Sequence, residues 1–142
     1  MSSRREARRA ALDVLYQADI TGADPSDVLE AWDEAEREVP PFARELIEGT
    51  TTHLPDIDLL LEEHADGWTV ARMAAVDRSI LRLAVEEVLF RDDVPDAVAI
   101  NEAVEAANEL STEDSGRFVN GILGRIAREP RGGPGMPEGR SA

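Results

Sequence analysis

Apolar residues at helical spacing, separated by helix-breaking positions, are the feature of this sequence that most restricts its fold. From residue 4 to residue 128, successive segments place apolar side chains three or four positions apart, which is the spacing of one helix face. Gly22, Gly67 and Pro95 interrupt this pattern. No segment alternates apolar and polar residues as a half-buried strand does. The sequence therefore predicts an all-α, single-domain bundle of about seven helices.

Capping residues and prolines predict where the helices begin and end. Ser3 and Glu6 form a capping box that begins the first helix. Asp24 followed by Pro25 begins the second. The later helices are expected over 42–53, 55–64, 77–91, 98–110 and 115–128, with a short helical turn at 68–72.

Helical periodicity also predicts which side chains face inward. Most apolar positions in these segments are expected in the core, including Ala35 of the second helix and Leu110 at the end of the sixth. Gly121 and Gly124 lie within the last helix. We expect both glycines at a close contact between helices.

Composition restricts the class of protein. The 142 residues are 42% apolar, which is sufficient for one buried core. Thirty acidic residues against fifteen basic ones, all arginine, give a net charge of -15, so most of the surface should repel nucleic acid. The chain has no cysteine, which excludes disulfides and thiolate metal sites. We find no membrane span and no secretory signal, so we expect a cytoplasmic protein.

Residues 129–142 differ in composition from the rest of the chain. Seven of these fourteen residues are glycine or proline. Such a composition is typical of disordered segments. We therefore expect a helical domain over residues 1–128 and a disordered tail over residues 129–142.

No group of residues in the sequence is suited to catalysis. The two histidines, His53 and His64, have no metal-ligand spacing, and there is no phosphate-binding loop or nucleophile elbow. The acidic pairs at 62–63, 86–87 and 92–93 are adjacent residues, which point about 100° apart on a helix and are expected to face solvent. We expect no enzymatic activity, no cofactor and no metal.

Basic residues cluster at the start of the first helix. Four of the fifteen arginines lie within six positions there: Arg4, Arg5, Arg8 and Arg9. They cover an arc of about 140°, which Leu12 and Tyr16 continue one and two turns later. Arginine binds phosphate bidentately and stacks on bases, and an aromatic ring also stacks. This face is therefore suited to single-stranded RNA.

The alternative to RNA binding is a purely structural role for this cluster. In that case the arginines pair with acids such as Glu6 and Asp13, and Tyr16 is a partly buried core residue. A second candidate lies at the start of the last helix, where free backbone N–H groups beside Arg117 could hold a phosphate. There, Glu113 and neighbouring acids would alternatively only cap the helix.

Several motifs occur together in a characteristic order. They are Arg4-Arg5-x-Ala7-Arg8 followed by Leu15-Tyr16, the segment 76–84 (VDRSILRLA), the segments 93–95 (DVP) and 98–105 (VAINEAVE), and the segments 113–115 (EDS) and 118–123 (FVNGIL). Together they cover most of residues 4–128. In this combination the sequence resembles the NusB family of bacterial transcription antitermination factors.

The resemblance implies an all-α fold of two packed helical halves and no enzymatic activity. It implies binding to boxA, a short single-stranded element of nascent RNA, together with NusE, a ribosomal protein of the small subunit. With other Nus factors, the pair would load onto RNA polymerase and suppress premature termination, notably in ribosomal RNA operons. The alternative is a helical protein–protein interaction module, or a homodimer that covers the arginines, without direct RNA binding.

The resemblance also implies roles for individual residues. Arg4, Arg5 and Arg8 match the family's arginine-rich RNA-contacting motif. Asp114, Arg117 and Phe118 match positions near the RNA surface at the start of the last helix, and they join the candidate RNA-binding set. Asp77, followed by Arg78, matches an acidic position associated with the NusE contact. Arg9 and Tyr16 join the candidate RNA-binding set from the helix-face pattern alone.

Overall fold

A computed structural model describes residues 3–129 and the backbone of residues 135–136 and 140–141. Within the described residues, seven α-helices form the bundle: α1 (Arg4–Thr21), α2 (Pro25–Glu34), α3 (Pro41–Thr52), α4 (Leu54–His64), α5 (Ala75–Phe90), α6 (Asp96–Leu110) and α7 (Glu113–Arg128). A 3-10 turn, Val70–Arg72, lies between α4 and α5. Two short strands, β1 (Gly135–Met136) and β2 (Arg140–Ser141), pair antiparallel. The predicted all-α fold is confirmed, whereas the expected disordered tail falls largely outside the described residues.

Local capping explains where the helices begin and end. The Oγ of Ser3 accepts from the backbone N–H of Glu6 at 3.1 Å, and the Glu6 carboxylate accepts from the Ser3 N–H at 2.8 Å. Gly22 ends α1 with a φ of 76°, a conformation that favours glycine. At α7, Thr112 Oγ1 accepts from the Ser115 N–H at 3.0 Å. This cap makes α7 begin two residues earlier than predicted.

Helix α5 is the centre of the bundle. It contacts α1 and α3 from the N-terminal half of the bundle and α4, α6 and α7 from the C-terminal half, so the two helical halves meet along it. Ten of its sixteen residues are buried. Fully buried side chains such as Leu46, Ile57, Leu81 and Leu123 form one core around α5. Burying each such side chain stabilises the fold by about 1.5–3 kcal/mol.

Two apolar side chains predicted to face inward lie on the surface instead. Ala35 is exposed because α2 ends at Glu34, so the helical periodicity no longer applies at this position. Leu110 is 48% exposed because it is the last residue of α6, at the turn to α7. Both predictions were wrong at helix ends, where a periodic pattern does not show that the helix has stopped.

The close helix–helix contacts predicted at Gly121 and Gly124 are not observed. A Cβ added at these two positions would meet only side chains of their own helix, at 3.6 and 3.3 Å. Gly116 has the close contact in α7, because an added Cβ would lie 2.0 Å from Oδ1 of Asn108 on α6. The glycine that lets α6 and α7 approach is therefore at the start of α7.

Glu86 and Glu87 do not face solvent as predicted, because α5 is covered on almost every side. Their exposures are 3% and 2%. Oε1 of Glu86 lies 2.8 Å from Nδ1 of His53, whose ring stacks on Phe90 with centroids 3.7 Å apart. A Cβ added at Gly49 would lie 2.0 Å from the other carboxylate oxygen of Glu86. Burial raises the pKa of Glu86, and the hydrogen bond with His53 opposes that shift.

Candidate nucleic-acid interface

The four clustered arginines of α1 are ion-paired across the bundle. Their partners lie on α5, on α6 and in the loop between these two helices, rather than at Glu6 and Asp13. The α6 partners are spaced along one side of that helix: Glu102, Glu105 and Glu109. Packing of α1 and α6 around α5 therefore places a basic row beside an acidic row.

Arg4 lies at the outer end of this cluster. Its Nη2 donates to Oδ2 of Asp93 at 2.7 Å, and its guanidinium lies 4.2 Å from the ring centroid of Phe42. Arg91 also donates to Asp93. Hydrogen bonds from Arg91 and then Arg4 lower the pKa of Asp93 to about 2. The Arg4 side chain remains 49% exposed, so it is accessible to a ligand.

Arg5 binds two carboxylates of α6. Its Nε and Nη2 donate to the two oxygens of Glu102 at 3.1 and 2.8 Å, and Nη2 also donates to Glu105 at 2.8 Å. The hydrogen bond from Arg5 lowers the pKa of Glu102. Arg5 is 58% exposed, Glu105 is 57% exposed and Glu102 only 21%.

Arg8 and Arg9 differ in exposure. The side chain of Arg8 is 11% exposed, and its Nε donates to both carboxylate oxygens of buried Glu87, at 2.9 and 3.0 Å. The Arg9 side chain is 36% exposed and pairs with Glu109 near the end of α6. Arg8 therefore ties α1 to α5, whereas Arg9 is open to solvent.

The exposed members of the cluster form what we call the arginine row: Arg4, Arg5 and Arg9. Behind the row, a cleft of about 30 Å³ lies between α1, α5 and α6. Leu12 lines this cleft and is 6% exposed, so it belongs to the core rather than continuing the basic face. Tyr16, one turn further along α1, is half-buried. The cleft is too small for a nucleotide, so a nucleic acid would lie across the arginine row.

The start of α7 carries the second set of predicted residues. Asp114 and Arg117 pair with each other and are 88% and 73% exposed. Ser115, between them, donates from its hydroxyl to Oδ2 of Asp77 at 3.0 Å. Asp77 is only 9% exposed, so it holds the start of α7 against α5. The arginine row leads towards this region, because Glu109, the partner of Arg9, lies two residues before the α6–α7 turn.

Sequence reasoning missed an exposed aromatic residue beside α7. Trp68 is 46% exposed and packs edge-on against Phe118, with centroids 6.3 Å apart. The guanidinium of Arg72 lies 5.4 Å from the Trp68 ring centroid. The segment 68–72 was predicted only as a connecting turn. A tryptophan four residues before an arginine was the available signal.

Arg78 is a largely buried residue that connects three elements of the structure. It donates to Asp19 of α1 at 3.0 and 2.6 Å, and its Nη1 donates to the carbonyls of Val70 and Met73, both at 3.0 Å. The side chain is 15% exposed. Arg78 therefore joins α1, the 3-10 turn and α5.

Neither a metal site nor a membrane span occurs in the part of the chain that the structure describes. Within it, no group of three histidine, aspartate or glutamate side chains is placed to hold a metal ion. No helix there is both long and apolar enough to cross a bilayer. The candidate interface therefore consists of charged and aromatic side chains on the surface of the helices.

Comparison with known proteins decides the family. The sequence model of the NusB family matches residues 5–128, nearly the whole helical bundle. The chain belongs to the NusB family. The transcription antitermination protein NusB of Symbiobacterium thermophilum is 48% identical, with 96% of each chain covered. The NusB protein of Saccharopolyspora erythraea is 53% identical, with 89% of this chain and 88% of that protein covered.

Solved NusB structures share the fold. NusB of T. maritima is 40% identical, with a TM-score of 0.81 over 90% of this chain and 92% of that chain. A crystal structure of the antitermination factors NusB and NusE in complex with dsRNA matches at 29% identity and a TM-score of 0.78, over 88% of this chain and 96% of that chain. The family resemblance and the all-α fold of two helical halves are thereby confirmed.

Proposed function

We propose that this NusB-family chain is a cytoplasmic transcription antitermination factor that binds boxA-type single-stranded RNA together with NusE. The pair joins other Nus factors on RNA polymerase and helps it read through terminators, notably in ribosomal RNA operons. Relatives at 48% and 53% identity are named transcription antitermination proteins, and a matching structure holds NusB, NusE and RNA together. The protein acts as a regulatory adaptor rather than as an enzyme.

The observation that carries this proposal is the arginine row. A chain with a net charge of -15 places three exposed guanidinium groups side by side along the first two turns of α1. Guanidinium groups bind phosphate through paired N–H donors. The row therefore supplies a local attraction for an RNA backbone on a surface that otherwise repels it.

Recognition of RNA bases is assigned to the start of α7. Unpaired bases stack on aromatic rings and on guanidinium planes. Phe118 and Trp68 supply the rings, and Arg117, which precedes Phe118 in the sequence, supplies an exposed cation. Asp114 repels phosphate but can accept hydrogen bonds from base edges. Tyr16, half-buried on α1, is the remaining candidate for a base contact.

The NusE contact is proposed near the start of α5. Asp77 and Arg78 are largely enclosed, so they act mainly by fixing the local backbone, with the partner on the surface around them. A basic partner would offset the acidic surface and extend the RNA-binding area. RNA affinity is therefore expected to rise when NusE is present.

Fluorescence anisotropy of a labelled boxA-like RNA tests the proposal. The RNA is titrated with the chain, with and without NusE, at low and moderate salt, and a scrambled RNA is the control. Each phosphate contact contributes a slope of about -0.7 to log affinity against log salt, so the three arginines of the row predict about -2. Absence of binding by folded protein in the presence of NusE would overturn the proposal.

The second candidate function is a protein–protein interaction module or homodimer that does not bind RNA directly. It is favoured by one observation: each clustered arginine already has a carboxylate partner within the chain. Reversing the charges with Arg4→Glu and Arg5→Glu distinguishes the two functions. Loss of RNA binding with unchanged sedimentation supports the first, and altered assembly without any RNA effect supports the second.

A further inference from the structure

The arginine row faces a row of carboxylates that use the same donors as a phosphate would. Nη2 of Arg5 is held by Glu105, and Nη2 of Arg9 is held by Glu109. These two glutamates are 57% and 64% exposed, so they lie where an approaching RNA backbone would lie. An RNA phosphate can reach either guanidinium fully only if the carboxylate moves away.

Glu102 stands in a different relation to Arg5. Its side chain is 21% exposed, and its two oxygens accept from Nε and Nη2 in a bidentate arrangement. This arrangement fixes the plane of the guanidinium. Within the described residues Nη1 of Arg5 makes no hydrogen bond, so that edge is left for a ligand.

We propose that Glu105 and Glu109 are internal competitors that lower RNA affinity, whereas Glu102 is a positioning residue that orients Arg5 for RNA. This inference rests on the proposed function, since it concerns RNA held by Arg5 and Arg9. Glu102 and Glu105, three residues apart on α6, therefore have opposite effects on the affinity of Arg5 for RNA. RNA affinity is set from α6, by side chains that do not themselves bind RNA.

Neutralising the competitors tests the first half of the inference. In the presence of NusE, the variant with Glu105→Gln and Glu109→Gln should bind boxA-like RNA more tightly than the wild type does. Fluorescence anisotropy measures this difference. An exposed ion pair is worth up to about 1 kcal/mol, so each released arginine should raise affinity by up to about fivefold.

A matched control separates competition from net charge. Glu30→Gln with Glu34→Gln, at two exposed positions of α2, makes the same change in charge. This control should change RNA affinity much less than the α6 variant does. Equal effects of the two double variants would overturn the inference, because net charge alone would then explain them.

The positioning role of Glu102 is tested by the direction in which its substitution changes RNA affinity and by the salt dependence of that affinity. Glu102→Gln should weaken RNA binding and reduce the salt slope by about 0.7, the contribution of one phosphate contact. Glu102→Asp, which keeps the carboxylate, should restore part of both. Tighter binding by Glu102→Gln would show that Glu102 is a competitor as well, and would overturn the positioning role.

The outcomes also separate this inference from the proposed function. If the wild type binds boxA-like RNA but the α6 variant binds no more tightly than the α2 control, only the inference fails. If neither the wild type nor any variant binds RNA with NusE present, both fail. Circular dichroism of each variant establishes that it is folded.

Discussion

Arg8 and Glu87 form an ion pair that is almost completely enclosed between α1 and α5. Nε of Arg8 donates to both oxygens of Glu87 at 2.9 and 3.0 Å, and the side chains are 11% and 2% exposed. Removing one partner of a buried pair costs about 3–5 kcal/mol, because the other charge stays buried and unpaired. We expect Arg8→Gln to lower the free energy of unfolding by about this amount, measured by urea denaturation.

The exposed pair of Arg117 and Asp114 provides the comparison for Arg8. Arg117→Gln should change the free energy of unfolding by no more than about 0.5 kcal/mol. If Arg8→Gln were equally harmless to stability and yet abolished RNA binding, Arg8 would be an RNA contact and its structural role would be wrong.

Stability should depend on pH through Glu86. Burial raises the pKa of this carboxyl, the effects of His53 and Arg91 oppose the shift, and Glu87 adds to it. The native state therefore keeps the proton to higher pH than the unfolded chain does. The contribution of Glu86 to the free energy of unfolding therefore falls as pH rises from 4.5, the usual pKa of this carboxyl, through the raised native pKa.

Glu86→Gln removes this titration but retains an oxygen that accepts from His53. We expect its stability, relative to the wild type, to increase as pH rises from about 4 to about 7. Urea denaturation of both proteins across this range measures the difference. A difference that stays constant with pH would contradict a raised pKa at Glu86.

Two glycines should respond in opposite ways to alanine. At Gly49, a new Cβ would lie 2.0 Å from the carboxylate of Glu86, which is buried and held by His53. We expect Gly49→Ala to destabilise the protein by about 1–3 kcal/mol. At Gly121 the nearest atom is 3.6 Å away, so Gly121→Ala should stabilise the helix by about 0.5–1 kcal/mol. Thermal denaturation compares the two, and a stabilised Gly49→Ala protein would show that Glu86 moves freely.

Trp68 should report RNA binding by fluorescence. The chain has two tryptophans, of which Trp32 is 6% exposed and Trp68 is 46% exposed. Because Trp68 contacts Phe118, bases stacking at the start of α7 should quench its emission. We expect quenching on titration of a Trp32→Phe variant with boxA-like RNA. A Trp68→Phe variant should show little change, and equal quenching in both would exclude a local effect at α7.

Local signals predicted the helices well, and long-range contacts explain the failures. Ser3 and Gly22 bounded α1 correctly because caps depend only on residues within a turn. The burial of Glu86 and Glu87 was not predictable in this way. Their partners His53 and Arg8 are 33 and 79 positions away in the sequence, so adjacent glutamates looked like a solvated face.

The candidate interface was predictable only in part, because it too depends on contacts between residues that are distant in the sequence. Clustering along one helix identified the arginines, but it could not show that Arg8 is enclosed while Arg5 is open. The carboxylates that hold Arg5 lie 97 and 100 positions away, on α6. Trp68 was missed because the only local signal, an arginine four residues later, does not show whether the ring is buried; its contact with Phe118 is 50 positions away in the sequence.

The adjacent charges at Glu86 and Glu87 bear on how the chain folds. Glu86 is hydrogen-bonded to His53 at the end of α3, and Glu87 is ion-paired with Arg8 of α1. A partly folded state with α5 buried but α1 undocked would enclose an uncompensated charge. Such an intermediate is disfavoured, so the N-terminal and C-terminal helices should unfold in a single cooperative transition.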